Sequence, residues 1–186
     1  MTLRFNNYSM LTGEKYGDYY YDWCVFVDED ASVINSIASV EYTLHHTFPN
    51  PVRVIEDKSS GFALYSAGWG FFEIKIRVIY EDGSTSLTSY QLQLDEDNWP
   101  KKPAPQVFDD NETKLVYQAL FHPKYRWRGA DTVTRKTELP ADKVLHILDK
   151  LENEDLVRKA SWLSIEGKEL WAPTAVVGVA PRIDES

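Results

Sequence analysis

The sequence predicts two domains of different class: an antiparallel β-sandwich over residues 1–96 and a small α+β domain over residues 109–186. Three observations lead to this prediction. Apolar and polar residues alternate in the first half, prolines then interrupt the pattern, and a helical period follows them. A chain of 186 residues is long enough for two small domains.

Strand-like alternation is clearest in the segment 72–78, where every second residue is apolar and the residues between them are charged. The segment 90–94 repeats this pattern, and Glu-Asp-Gly-Ser at 81–84 is typical of a hairpin turn between two strands. Two further apolar segments, 23–27 and 40–44, predict additional strands. Short strands with turn residues at this spacing favour an antiparallel sandwich.

The segment 97–108 breaks the alternation with Pro100, Pro103 and Pro105. Proline restricts the backbone and removes a hydrogen-bond donor, so we expect a stiff polar linker here. The sequence therefore predicts a domain boundary between the two patterns.

A helical period begins beyond these prolines. It predicts a first helix around 115–120, a short second helix over 130–137 and a third helix that opens at Pro140. Two short strands, around 157–163 and 168–174, follow. Three helices and a β-hairpin in this order are the plan of a winged helix, and they predict that fold for the second domain.

Composition excludes several classes of function. The formal net charge is -9, which disfavours nucleic-acid binding by the molecule as a whole. Cys24 is the only cysteine, so no intrachain disulfide can form, and we expect a cytoplasmic protein with Cys24 buried as a small apolar residue. The N-terminus shows no signal-peptide pattern and no apolar run suits a membrane span.

Three segments resemble the YEATS domain family in order and spacing. They are Tyr-Asp-Trp-Cys-Val-Phe-Val at 21–27, Leu-His-His-Thr-Phe-Pro-Asn-Pro at 44–51 and Gly-Trp-Gly-Phe-Phe-Glu-Ile at 68–74. The resemblance covers about residues 18–94 and includes the prokaryotic type of the family. It implies an immunoglobulin-like sandwich, in agreement with the alternation of the strands.

The resemblance also implies a binding site for acylated lysine at one end of the sandwich. By the family's motifs, Phe48 and Trp69 are the flat walls of an open aromatic channel, between which an acetyl or crotonyl amide stacks. Thr47 hydrogen-bonds the amide, the backbone N–H of Trp69 holds the acyl oxygen, and His45 orients the Thr47 hydroxyl. Such a site needs donors and aromatic faces rather than a carboxylate, because acylation removes the lysine charge.

Four more residues complete the expected site. Gly68 and Gly70 allow the backbone to turn sharply on either side of the exposed indole. The resemblance places Tyr19 as an aromatic flanking the channel and Phe72 at its far wall. The aromatic residues make up 13% of the chain, which suits either a dense core or an aromatic-lined site.

The predicted function is a non-enzymatic reader or adaptor, with no catalytic residues, metal site or cofactor. The adjacent residues His45 and His46 point to opposite faces if they lie in a strand, which would prevent a shared metal. An alternative is a bacterial signalling or defence module that binds another protein and no small ligand, with Phe71 or Tyr19 closing the loops.

The second domain has two possible partners, DNA and protein. DNA binding through residues 109–175 would use the helix 140–152, whose polar face carries a mixed set of charges and no arginine. Basic residues around it could contact phosphates or could simply lie in a solvated surface (Lys124, Arg126, Arg128, Arg135, Lys136, Arg158 and Lys159).

Overall fold

The computed structural model describes residues 2–183, and the chain in it separates into two units. The sandwich unit runs to Asn98 and includes residues 181–183. The C-terminal unit runs from Trp99 to Ala180. No helix in the described part of the chain is long and apolar enough to cross a membrane.

Two antiparallel sheets form the sandwich unit, one with the strand order β1-β2-β5 and the other with the order β4-β3-β6-β7. A single apolar core joins side chains from both sheets. A short helix, α1 (Ala31–Asn35), connects β2 to β3. The strands are β1 (Phe5–Lys15), β2 (Asp18–Val27), β3 (Ile37–Thr43), β4 (Val52–Ile55), β5 (Leu64–Gly68), β6 (Glu73–Tyr80) and β7 (Thr85–Gln91).

The alternation of β6 explains how this core forms. Ile74, Ile76 and Val78 are buried, whereas the charged residues between them are exposed. The predicted hairpin turn at 81–84 joins β6 to β7, with Ile79 paired to Thr85 across it. The alternation of β6, the hairpin and the burial of Cys24 are therefore confirmed. The expected strand 90–94 differs, because β7 ends at Gln91 and residues 92–94 lie beyond it.

Strand β1 lies outside the predicted strands because its sequence is polar. Asn7 and Ser9 are buried, and their side chains are satisfied by the segment that follows β7. The Asn7 amide donates to the carbonyl of Gln93 at 2.6 Å, and the Ser9 hydroxyl donates to the carbonyl of Asp95 at 3.0 Å. A buried polar group is tolerated when it is hydrogen-bonded, so the pattern of apolar residues does not reveal this strand.

Three longer helices and a three-stranded sheet make up most of the C-terminal unit. The sheet order is β8-β10-β9, and all of its strand pairs are antiparallel. Asp110 caps the first helix by accepting from the Thr113 amide at 2.7 Å. The elements are α2 (Asn111–Ala119), β8 (Arg128–Gly129), α3 (Ala130–Thr137), α4 (Ala141–Asn153), β9 (Val157–Lys159), β10 (Leu170–Pro173) and α5 (Thr174–Val177).

The ends of the expected linker and of the expected second domain differ from the structure. Trp99 is buried in the C-terminal unit, where its indole N–H donates to the carbonyl of Val179 at 2.8 Å. Ile183 packs against the sandwich core, and its amide donates to the carbonyl of Ser59. The prolines of 97–108 are evident in the sequence. The unit to which Trp99 or Ile183 belongs is not, because it depends on contacts with residues distant in the chain.

Arg158 is buried, so neither expectation for it, a phosphate contact or a place in a solvated surface, is met. Its guanidinium lies 4.9 Å from the ring centroid of Trp99 and 5.0 Å from that of Trp127. It also donates to the carbonyls of Val177 and Gly178. Cation–π contacts and carbonyl acceptors stabilise this buried cation inside the unit.

The first prediction concerns Tyr42, whose hydroxyl donates to the carbonyl of Phe62 at 2.9 Å in the sandwich core. Burial raises the pKa of Tyr42 far above the usual tyrosine value, with a further contribution from Cys24. The stability that comes from the neutral hydroxyl is therefore complete below pH ~10 and is lost as the pH rises toward the folded-state pKa. Between pH ~10 and the folded-state pKa, the wild type should lose up to about 1.4 kcal/mol of stability per pH unit relative to Tyr42→Phe.

Calorimetric unfolding across this pH range measures the difference, with Tyr80→Phe as the control because Tyr80 is a half-buried tyrosine of the same sheet. At neutral pH, Tyr42→Phe should lower the free energy of unfolding by about 1–3 kcal/mol, since it leaves the Phe62 carbonyl without its donor. Parallel pH profiles for wild type and Tyr42→Phe would contradict the assignment.

The second prediction compares two glycines with positive φ. Gly178 has φ 77° and ψ 163°, and a Cβ there would lie 2.1 Å from the Trp99 ring. Gly83 has φ 81° in the β6–β7 turn, with open space around it. Gly83→Ala should cost about 1 kcal/mol of backbone strain, whereas Gly178→Ala should cost at least ~2 kcal/mol more because the indole must move. Chemical denaturation of both variants tests the difference, and equal losses would show that Trp99 does not restrict this position.

Candidate functional site

The loop between β3 and β4 is held in one conformation by hydrogen bonds at its ends. The Leu44 amide donates to the Pro51 carbonyl at 2.8 Å, and the Phe48 amide donates to the His45 carbonyl at 3.0 Å. The Arg53 guanidinium donates to the carbonyl of Pro49 at 2.6 Å. Proline restricts the loop further, so the ring of Phe48 is presented by a rigid turn.

The loop between β5 and β6 depends on two glycines for different reasons. Gly70 adopts φ 83°, a left-handed conformation that other residues rarely take. Gly68 is buried, and a Cβ at this position would lie 3.3 Å from the ring of Phe48. Gly70 therefore permits the turn after Trp69, and Gly68 permits the close approach of Phe48.

Five aromatic side chains meet where the two loops converge. Phe48 and Phe72 lie 5.3 Å apart between ring centroids, and both pack edge-on against the buried Trp23 at 6.2 and 6.0 Å. Trp69 is 57% exposed, and its ring lies 5.6 Å from that of Tyr20. Edge-to-face and tilted pairs of this kind stabilise the arrangement by about 0.5–1.5 kcal/mol each beyond the area they bury.

A cavity of about 400 Å³ opens between these loops. Seven of the eight residues predicted for the site lie in its wall: His45, Thr47, Phe48, Gly68, Trp69, Gly70 and Phe72. Phe71 also lines the cavity with an exposed side chain and leaves this volume open. The remaining lining residues are Tyr20, Pro49 and Ala67.

Tyr19 is the predicted site residue that does not line the cavity, and Tyr20 takes its place. Successive residues of a strand point to opposite faces, so only one of two neighbouring tyrosines on β2 can turn toward Trp69. Three consecutive tyrosines give no indication of which face is which. The pairing of Tyr21 with Gly68 sets the register and brings Tyr20 beside the indole.

The polar part of the cavity is small and well defined. The Thr47 hydroxyl and the Nδ1 atom of His45 are 2.9 Å apart, within hydrogen-bonding distance. The ring centroids of His45 and His46 lie 4.2 Å apart, with the rings tilted by 40°. The opposite orientation expected in a strand does not apply, because both residues follow the end of β3. Among residues 2–183, no group of three His, Cys, Asp or Glu side chains is placed to hold a metal ion.

Charge is absent from the wall of this cavity: the lining includes no Asp, Glu, Lys or Arg. An ionised ligand would therefore lose its hydration without gaining an opposite charge. A neutral, flat group with one donor and one acceptor fits the aromatic faces and the Thr47 hydroxyl better.

Residues 21–93 match the family model of the prokaryotic YEATS domain. This segment is a YEATS domain. The match includes both loops of the cavity and most of β2, and it confirms the family expected from the three sequence segments.

Known relatives of the YEATS segment include two curated eukaryotic proteins. The protein AF-9 homolog of Kluyveromyces lactis is 44% identical over 71 residues, which cover 36% of this chain and 30% of that protein. Transcription initiation factor TFIID subunit 14b of Arabidopsis thaliana is 36% identical over 138 residues, or 64% of this chain and 50% of that protein. The chain thus spans half or less of the length of these two relatives.

One solved structure with similarity to the chain is the Yaf9 YEATS domain bound to H3K27ac. It is 30% identical, covers 49% of this chain and 69% of that chain, and superposes with a TM-score of 0.40.

Proposed function

We propose that the YEATS domain of this protein is a non-enzymatic reader that binds an acylated lysine side chain in the cavity between the two loops. The observation that supports it most directly is an open, uncharged aromatic cavity with a hydroxyl–imidazole pair in its wall. The family match over residues 21–93 supports the same reading.

In this proposal the acyl amide lies flat against the rings of Phe48 and Trp69. The Trp69 amide, just beyond the last β5 residue that pairs with β2, donates to the acyl oxygen. The amide N–H of the modified lysine donates to the Thr47 hydroxyl oxygen. The hydroxyl then directs its own proton to Nδ1 of His45, so both groups of the ligand amide are satisfied.

Core contacts hold the ligand-facing rings before any ligand arrives. Phe48 is fixed against Trp23, Phe72 and the backbone of Gly68. Preorganised side chains lose little conformational entropy on binding, which improves the affinity of a small contact area. Trp69 is the more exposed wall, so its substitution removes a binding surface with little effect on the core.

We infer in addition that the C-terminal unit is a winged-helix domain that docks to a protein rather than to DNA. The order α2, β8, α3, α4, β9 and β10 supports the fold, with the segment 160–169 as the wing. Lys143 and Lys150 of α4 are engaged by Glu112 and Asp109, each at 2.9 Å. The lysines available for phosphate on this helix are thus already partnered by carboxylates.

The wing has the composition of a protein-binding surface. Trp162, Leu163 and Ile165 are exposed there, whereas Lys168 bonds to Asp131 and Glu166 at 2.8 Å each. These hydrogen bonds raise the pKa of Lys168, and the one to Asp131 contributes more than the one to Glu166. Exposed apolar side chains in a cluster are typical of interaction sites.

The acyl-lysine proposal is tested by titrating one labelled peptide with lysine in four forms: unmodified, acetylated, crotonylated and trimethylated. We expect binding to the two acylated forms only, because only they carry the flat amide that stacks on the aromatic faces and hydrogen-bonds to the Thr47 hydroxyl. Trp69→Ala should weaken binding at least ~tenfold by removing one stacking face. Fluorescence polarisation measures the affinities.

Trp162→Ala is the matched control, since it removes an exposed tryptophan from the other unit and should change the affinity less than about twofold. Equal binding of the unmodified peptide would show that the cavity does not read acylation. Preference for trimethyl-lysine would indicate a cation site. No binding of any form would favour the protein-interaction alternative.

The Thr47–His45 pair gives a second test. Thr47→Val removes the hydroxyl at nearly constant volume, whereas Thr47→Ser retains it. If the hydroxyl donates to Nδ1, the wild type holds His45 as the Nε2–H tautomer, and Thr47→Val should raise the share of the Nδ1–H tautomer about two- to tenfold. Nitrogen-15 NMR of the imidazole reports the tautomer, and an unchanged ratio in Thr47→Val would refute the role assigned to His45.

A further inference from the structure

A second groove, of about 650 Å³, lies in the C-terminal unit beside the wing. We call it the docking groove. It is formed by the start of α3, the strand β8 and the wing, all within the unit Trp99–Ala180. Its lining residues are Tyr125, Trp127, Arg128, Gly129, Asp131, Thr132, Arg135, Ser164, Ile165, Glu166, Lys168 and Leu170.

The rim of the docking groove is apolar. Among its lining residues, Ile165 has a fully exposed side chain and Tyr125 is more than half exposed. Trp127 in the wall packs edge-on against Trp162 of the wing at 5.0 Å. Large apolar side chains exposed around one concavity are typical of a surface that another chain covers.

The lining of the docking groove has a positive net charge, whereas the whole chain has a negative one. Its lining has three cationic side chains, Arg128, Arg135 and Lys168, and two carboxylates, Asp131 and Glu166. Lys168 pairs with both carboxylates. Three cations and two carboxylates leave this groove with one excess positive charge, in a chain whose formal net charge is -9.

Arg128 is the best-placed of these cations. Its side chain is half-buried in the groove wall, and its Nε–H is covered from solvent without an acceptor in the described part of the chain. A buried donor without an acceptor is unfavourable. The guanidinium fork matches a carboxylate, and rotation of this long side chain would bring Nε and one Nη to the same partner.

We propose that the docking groove binds a segment of a partner protein in which acidic side chains alternate with large apolar ones. The carboxylate binds Arg128 beside Arg135, and the apolar side chain packs against Tyr125 and Ile165. This inference rests on the protein-docking role proposed above and specifies its surface and the chemistry of its partner.

The full chain is titrated with two fluorescein-labelled octapeptides at physiological salt. One has the sequence Gly-Glu-Leu-Asp-Ile-Glu-Trp-Gly, and in the other each acidic residue is replaced by lysine. The net charge of the chain favours the basic peptide, whereas the docking groove favours the acidic one. We expect the acidic peptide to bind at least ~tenfold more tightly.

Arg128→Gln and Ile165→Ser should each weaken binding of the acidic peptide about fivefold or more. Ile165 is fully exposed, so its substitution keeps the test valid if Arg128→Gln unfolds. The matched controls are Arg77→Gln and Leu87→Ser, an exposed arginine and an exposed leucine of the sandwich unit, and they should change the affinity less than about twofold.

Three outcomes would overturn the inference. Acidic-peptide binding that neither groove variant weakens would leave a protein-docking role but remove this surface. A labelled DNA duplex is titrated in the same way. If it binds more tightly than the acidic peptide and Arg128→Gln abolishes this binding, both the inference and the protein-docking role are contradicted. Concentration-dependent dimerisation that Ile165→Ser abolishes would assign the groove to a second copy of the chain. Acyl-lysine binding is measured in parallel and should be unchanged in both groove variants.

Discussion

The packing of Phe48 and Phe72 against Trp23 is the contact on which the candidate site depends. Trp23 is buried in the middle of β2, so its position is determined by the whole sandwich core. The two loop residues use it as a common base, at 6.2 and 6.0 Å between ring centroids. The cavity is therefore a continuation of the core, and its shape is as rigid as the sheets beneath it.

Hydrogen bonds of buried polar side chains fix the edge of the sandwich at β1. Asn7 and Ser9 bond to the segment after β7, which runs beside β1 and covers an edge that would otherwise expose unpaired backbone groups. Tyr90 donates to the same Asn7 side chain at 2.8 Å. Buried polar groups with complete hydrogen bonds specify this arrangement, since any shift in register would leave them unsatisfied.

Several positive charges of the C-terminal unit are engaged by other side chains of the same unit. Arg158 is enclosed by two indoles, and the lysines of α4 are paired with carboxylates of α2 or the residues before it. Exposed ion pairs contribute little to stability. Their effect here is on the surface, because they neutralise two lysines of α4, while the segment 160–169 exposes the apolar side chains of Trp162, Leu163 and Ile165.

The sequence alone determined the two fold patterns, because period-two and period-3.6 burial are local properties. It also determined seven residues of the cavity wall, because the loop motifs with their prolines and glycines are contiguous in the chain. Only the tertiary structure decided between Tyr19 and Tyr20, buried Trp99 and Arg158, and packed Ile183 against the sandwich core. It also made a strand of the polar segment around Asn7. Each of these outcomes depends on a partner distant in sequence, and local patterns contain no information about such partners.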